Sequence, residues 1–172
     1  MNETHGTAKM IRHAFSLRRE GHGRDALVIA SAALKTCPPD DTPMLVEIYA
    51  CLGQLHRDAG RHEDALHWYG KASAATGNRD RYFHLLRHVA DIQCELGRYA
   101  EADESYPNIL AHYGSEQSLN RANALRGYAL VQEGLGQTEG ARKAWQAARD
   151  LYQQFGIAAG VEECDQRLVN LS

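Results

Sequence analysis

The 172-residue sequence contains only four prolines, four cysteines, two tryptophans and three phenylalanines. With so little proline, and with Ala, Leu, Arg, Glu and Gln abundant, few positions interrupt a helix, and an all-helical chain is expected. Cys37, Cys51, Cys94 and Cys164 stand far apart without a CxxC pair. That excludes a disulfide frame or a cysteine zinc site and fits reduced packing residues of a cytosolic protein. No apolar run is long enough to span a bilayer, and residues Met1 to Met10 lack the apolar stretch of a secretory signal, so the expected location is the cytoplasm of a bacterium. Charge of one sign is missing too: a net charge of -3 with 24% charged residues leaves no basic excess for nucleic acid or an anionic membrane. Nor is there a phosphate-cradling glycine loop, a nucleophile elbow or a paired-carboxylate signature, so neither an enzyme nor a cofactor is expected.

What the chain does have is a pattern that returns four times. Gly21, Gly60, Gly97 and Gly136 are each followed five residues later by alanine: Ala26, Ala65, Ala102 and Ala141. Nine residues after the glycine stand Ala30, Tyr69, Tyr106 and Trp145; twelve after it, Ala33, Ala72, Ile109 and Ala148. Seven before it, each copy has a very small residue: Ala14, Gly53, Ala90 and Ala129. Small residues at matching points let two helix backbones approach, and an aromatic one turn further on fills the gap where they diverge. The glycine suits the left-handed C-terminal position of the first helix. Asp25, Glu63, Asp64, Glu101 and Glu139 then fall in the first turn of the second helix, where the positive end of the dipole favours them.

These positions resemble those of tetratricopeptide (TPR) repeat proteins, with Pro38 at the repeat's terminal proline. The glycines are 39, 37 and 39 residues apart, longer than the ~34 of the standard unit, which is similar to extended-repeat members such as kinesin light chain. The resemblance implies an all-α fold, a right-handed TPR superhelix (α-solenoid) of about four helix hairpins. The expected organisation is a disordered N-terminus at 1–6, repeats at about 7–40, 41–77, 78–114 and 115–156, and a C-terminal capping helix at 157–172. Apolar Ile157, Val161, Cys164, Leu168 and Leu171 recur at three- and four-residue steps in that last stretch, opposite Glu162, Glu163, Asp165, Gln166 and Arg167. Cys37 to Pro43 is the one proline-rich connector, and Pro107 falls inside a helix that it should bend.

The resemblance also implies a non-catalytic scaffold that takes a peptide or protein segment in the concave groove lined by the first helix of each pair. Counting back from the glycines gives rows across that groove: Ile11, Ala50, Arg87 and Arg126; Ala8, Glu47, His84 and Asn123; Phe15, Gln54, Asp91 and Leu130; Arg18, Arg57, Cys94 and Glu133. His84, Arg87, His88, Asp91, Asn123 and Arg126 are thereby aimed at one patch, with Glu47, Gln54 and Arg57 on the same wall. Helices packed ~8–10 Å apart would let two guanidinium groups close on one carboxylate or phosphate. The competing reading pairs Arg87 with Asp91 four residues on, and Arg126 with a neighbouring acid. Co-chaperone relatives clamp a C-terminal carboxylate on these rows, but Ile11 and Phe15 occupy the first-copy positions and cannot do so. His84 and His88 have a metal-compatible spacing but lack a third ligand nearby, so they are expected to be structural, with no metal. Tyr69, Tyr106 and Trp145 are expected in the core. The alternatives to a peptide scaffold are a self-association module forming a homodimer and a small-ligand or peptide sensor domain of a bacterial regulatory system.

Overall fold

A computed structural model describes residues 2–171, with side chains from Gly6 to Leu171. Among the described residues there are nine α-helices and no strand: α1 (Asn2–Arg19), α2 (Gly23–Thr36), α3 (Thr42–Asp58), α4 (His62–Ala75), α5 (Arg79–Glu95), α6 (Tyr99–Tyr113), α7 (Leu119–Gly134), α8 (Thr138–Gln154) and α9 (Ala158–Asn170). The stretch 1–6, expected to be frayed, overlaps the start of α1; Met1 lies outside the described residues. α6 runs on through Pro107, whose ring is exposed. None of the described helices is long and apolar enough to cross a membrane.

One turn builds the hairpins. At Gly60 the backbone turns left-handed (φ 71), its N–H donates to the Arg57 carbonyl, and the Arg61 N–H reaches back to the His56 carbonyl, both at 2.9 Å. This crossed pair of bonds is the Schellman closure, which satisfies carbonyls that the end of a helix would leave orphaned. The next helix starts at His62, so the three residues Ala59, Gly60 and Arg61 reverse the chain. The same two bonds recur at Gly21, Gly97, Gly136 and also Gly156. That fifth turn comes only 20 residues after the fourth, so α8 serves both as the second helix of one hairpin and as the first helix of another with α9.

The chain divides into two compact units, Met1–Ile92 and Gln93–Ser172, with the division inside α5. In the first unit, α1–α2 and α3–α4 are hairpins around a core that includes Ile11, Ala14, Ala26, Ala30, Ala33, Ile48, Cys51 and Leu52. In the second, α7, α8 and α9 close over Ala129, Ala141, Trp145, Ala148, Tyr152 and Cys164. The alanines five residues after the four repeat glycines are all fully buried, as are Tyr106 and Trp145, with Tyr69 at 2% exposure. A buried aromatic removes on the order of 150–250 Å² from water, worth roughly 4–6 kcal/mol before entropy at about 25 cal/mol per Å². Such residues therefore decide how closely each hairpin shuts.

α9 is fastened by charge as well as by Cys164. The Arg126 guanidinium on α7 donates to both Glu163 oxygens at 2.6 and 2.7 Å, Arg167 bonds Glu133 at 3.0 Å, and Arg149 on α8 pairs with Asp165. Where the four repeats have Ala30, Tyr69, Tyr106 and Trp145, nine residues past the glycine, α9 has the exposed Asp165. Its outward side is thus ionic, with Glu162 and Gln166 also exposed.

Candidate binding site

The side chains expected on the groove wall divide between the two units. In the first unit, the first helices of three successive hairpins supply one cavity of about 160 Å³. α1 contributes Phe15 and Arg18, α3 contributes Ala50 and Gln54, and α5 contributes Arg81, His84, Leu85 and His88; Tyr69 from α4 forms its base. Four-residue spacing puts each helix's contributors on one face: Ala50 with Gln54, and Arg81, His84, Leu85 and His88 over two turns.

The polar groups are held by one another. The Tyr69 hydroxyl donates to Gln54 Oε1 at 3.0 Å, and Gln54 Nε2 donates to Asp58 at 2.7 Å. Asp58 also pairs with Arg18, and Arg81 pairs with Glu47 at 2.9 Å. The His88 ring lies flat on Tyr69, with centroids 4.9 Å apart and planes 11° from parallel. Its Nε2 is 3.3 Å from Nε2 of His84, and its Nδ1 is 3.5 Å from Arg57 Nη1. Burial, reinforced by Arg87, His84, Arg57 and Arg81, pushes the His88 pKa down to about 2; burial and then Arg87 and Arg81 lower that of His84. Both rings are therefore uncharged at neutral pH.

Arg87 does not reach the cavity. It is buried at 8% exposure, donates to Asp91 at 2.6 Å and leaves its Nε without an acceptor. Arg57 lies 3.8 Å from the same Asp91 oxygen. Arg57, Arg87 and Asp91 thus form an ionic layer behind the histidines. Glu47 stands at the rim with Arg81. Arg126 and Asn123 belong to the second unit and are engaged there: Arg126 by Glu163, and Asn123 Oδ1 by the Tyr152 hydroxyl at 2.8 Å. Arg81, Leu85 and Tyr69 are cavity residues that the groove rows did not contain, and Arg18 was on a row without being assigned to the binding patch. Arg18 stood in a row with Arg57, and Arg81 lies one turn before His84, which was the available signal. Among the described residues no group of three or more His, Cys, Asp or Glu is placed to hold a metal ion.

Among the described residues, nine helices with a three-residue glycine turn closing each hairpin define a protein of TPR-type fold. Solved structures share it. A Podosopora anserina protein of nearly identical TPR-like repeats, described as a kinesin light chain, superposes with a TM-score of 0.74 at 13% identity over 99% of this chain and 96% of that one. BtubC (BKLC) from P. vanneervenii gives 0.67 at 16% identity, covering 99% and 89%. MamA from Desulfovibrio magneticus RS-1 gives 0.65 at 17% identity, covering 96% and 94%. No protein-family model matches the chain, and no curated protein sequence aligns with it.

Proposed function

We propose that this protein is a non-catalytic scaffold that holds an extended or helical segment of a partner protein against the first helices of its repeats. The observation that carries the reading is the cavity to which α1, α3 and α5 each contribute side chains. A row of equivalent positions opening on one face is what a bound chain segment would follow. No serine, cysteine or lysine lines the cavity, and its two histidines face each other. Gln54, His84 and His88 contact the segment, Glu47 and Arg81 border it, and Arg57, Arg87 and Asp91 brace the wall. Asn123 and Arg126 lie in the second unit, where Tyr152 and Glu163 engage them. The free cysteines fit work in the bacterial cytoplasm.

Ala50→Trp, which fills the cavity without removing a charged group, tests this directly. Capture of a partner from the native cell should fall at least tenfold with helicity unchanged; equal capture by both proteins refutes the groove. A second reading, association between copies, has in its favour the exposed Phe155, Ile157 and Val169 around α9. Sedimentation at two concentrations decides it, since a homodimer must dissociate on dilution.

A further inference from the structure

We infer that the α8–α9 hairpin takes α1 of a second copy of this chain, so that copies join head to tail. This rests on the second reading above, association between copies, and is independent of the groove. In each unit there is a hairpin on which one side chain of a following helix touches both the residue three before the turn glycine and the residue nine after it. At the Gly60 turn these are Arg57 and Tyr69, and His88 of α5 serves both: its Nδ1 is 3.5 Å from Arg57 Nη1 and its ring stacks on Tyr69. At the Gly136 turn they are Glu133 and Trp145, and Arg167 of α9 serves both, bonding Glu133 at 3.0 Å with its guanidinium carbon 5.8 Å from the centre of the Trp145 ring. At the Gly156 turn they are Gln153 and Asp165. Both are exposed and, with Ala158, Val161 and Glu162, they line an open pocket of about 460 Å³ to which, among the described residues, only α8, α9 and their turn contribute.

Register and charge name the occupant. His88 stands nine residues before its own turn glycine, Gly97; at that position the other first helices have Arg12, Cys51 and Gly127. Only α1 brings a cation there, and only the α8–α9 hairpin has a carboxylate, Asp165, where the others have Ala30, Tyr69, Tyr106 and Trp145. Arg12 is exposed, as are Lys9 one turn before it and Arg19 two turns after it. Asp165 already accepts from Arg149. A carboxylate has lone pairs for a second donor, and Glu162 adds a second negative charge to the pocket. Because the two joined surfaces differ, every pair of copies still offers one of each, and addition continues past two.

Sedimentation velocity of the full chain tests this. The wild type should grow past a dimer as its concentration rises, and its association should weaken roughly tenfold between about 0.1 and about 1 M salt, as the screening length falls from ~10 Å to ~3 Å. Arg12→Glu removes the head contact and Asp165→Asn the tail contact; each variant alone should stay monomeric where the wild type assembles. Mixed in equal amounts, the two retain one intact pairing, Asp165 of the first with Arg12 of the second, and should form a dimer that grows no further. Should Asp165→Asn loosen α9, Glu162→Lys takes its place as the tail variant. A wild type that stays monomeric overturns this inference and the association reading together. A wild-type dimer that stops growing and survives both substitutions keeps association and removes the head-to-tail contact. Assembly indifferent to salt, or a mixture of the two variants that stays monomeric, overturns the inference as well.

Discussion

Gly53 and Gly70 are both interior helical glycines of the first unit, and replacing each with alanine should have opposite effects. Alanine gains about 1 kcal/mol over glycine inside a helix because the unfolded chain loses less freedom on folding. At Gly70 nothing lies within 4 Å of an added Cβ, so most of that gain should appear as stability. At Gly53 the Cβ would meet Tyr69 Cδ2 at 2.8 Å, with Cε2 and Cγ at 3.0 Å. These atoms include the base of the ring, not the tip of a flexible chain. Nor can the ring swing aside, because its hydroxyl is bonded to Gln54 and its face is stacked on His88. Forcing a methyl into such a site costs about 1–3 kcal/mol, which outweighs the propensity gain. Gly53→Ala should therefore destabilise by ~1 kcal/mol, while Gly70→Ala stabilises by nearly as much. For a chain of this length each kcal/mol moves the melting temperature by about 2–4 °C, so the two variants should melt roughly 4–8 °C apart by calorimetry or circular dichroism. A Gly53→Ala protein as stable as the wild type would refute the claim that helix proximity in this hairpin is set by that ring.

Acid should weaken the fold through His88. Its pKa is depressed in the folded state, so the unfolded chain takes up the proton first; stability is full above about pH 6.5 and falls as pH drops, by ~1.4 kcal/mol per unit for one group. Between pH 6.5 and 5 that amounts to ~2 kcal/mol, with His84 adding in the same direction; His88→Phe should flatten urea-denaturation midpoints over this range, and parallel curves for the two proteins would disprove it. Gly156→Ala forces a Cβ into a left-handed position (φ 68) and should cost ~1–2 kcal/mol, seen as faster amide exchange along α9 before the rest of the second unit. Glu163→Gln weakens the fork of Arg126; because both side chains are about a third exposed, the loss should be near ~1 kcal/mol and again localised by exchange to α9.

The hairpins were legible because their requirements are local. A left-handed glycine, an alanine five residues on and a small residue seven before are demanded by backbone approach alone, and any side chain larger than methyl at Ala65, Ala102 or Ala141 would meet the fully buried interior. The fifth turn falls outside the repeat period for an equally local reason. Gly156 has the same bonds as Gly136, but Val161 replaces the alanine and the interval is halved, so a search by period passes over it. A capping helix is expected at 157–172, but the partners of Arg126, Glu133 and Arg149 on it follow only from the geometry of the turn.

The site was less legible because spacing along a helix gives direction but not depth. Ile11, Ala50, Arg87 and Arg126 share one row, yet Ile11 is 6% exposed and Arg87 8%, while Ala50 and Arg126 are only half-buried. An arginine at that position becomes a ligand or a brace according to which acid stands beside it. For Arg87 the acid is four residues away and could be anticipated; for Arg126 it is Glu163, 37 residues later and brought back only by the Gly156 turn. The same logic singles out Arg81 within the first unit. Its partner Glu47 leaves Nε unanswered, and a buried charged donor without an acceptor is a place where the folded chain alone has not completed its own hydrogen bonding. The sequence contains the arginine, but only the fold shows that nothing in the cavity lining accepts from its buried nitrogen.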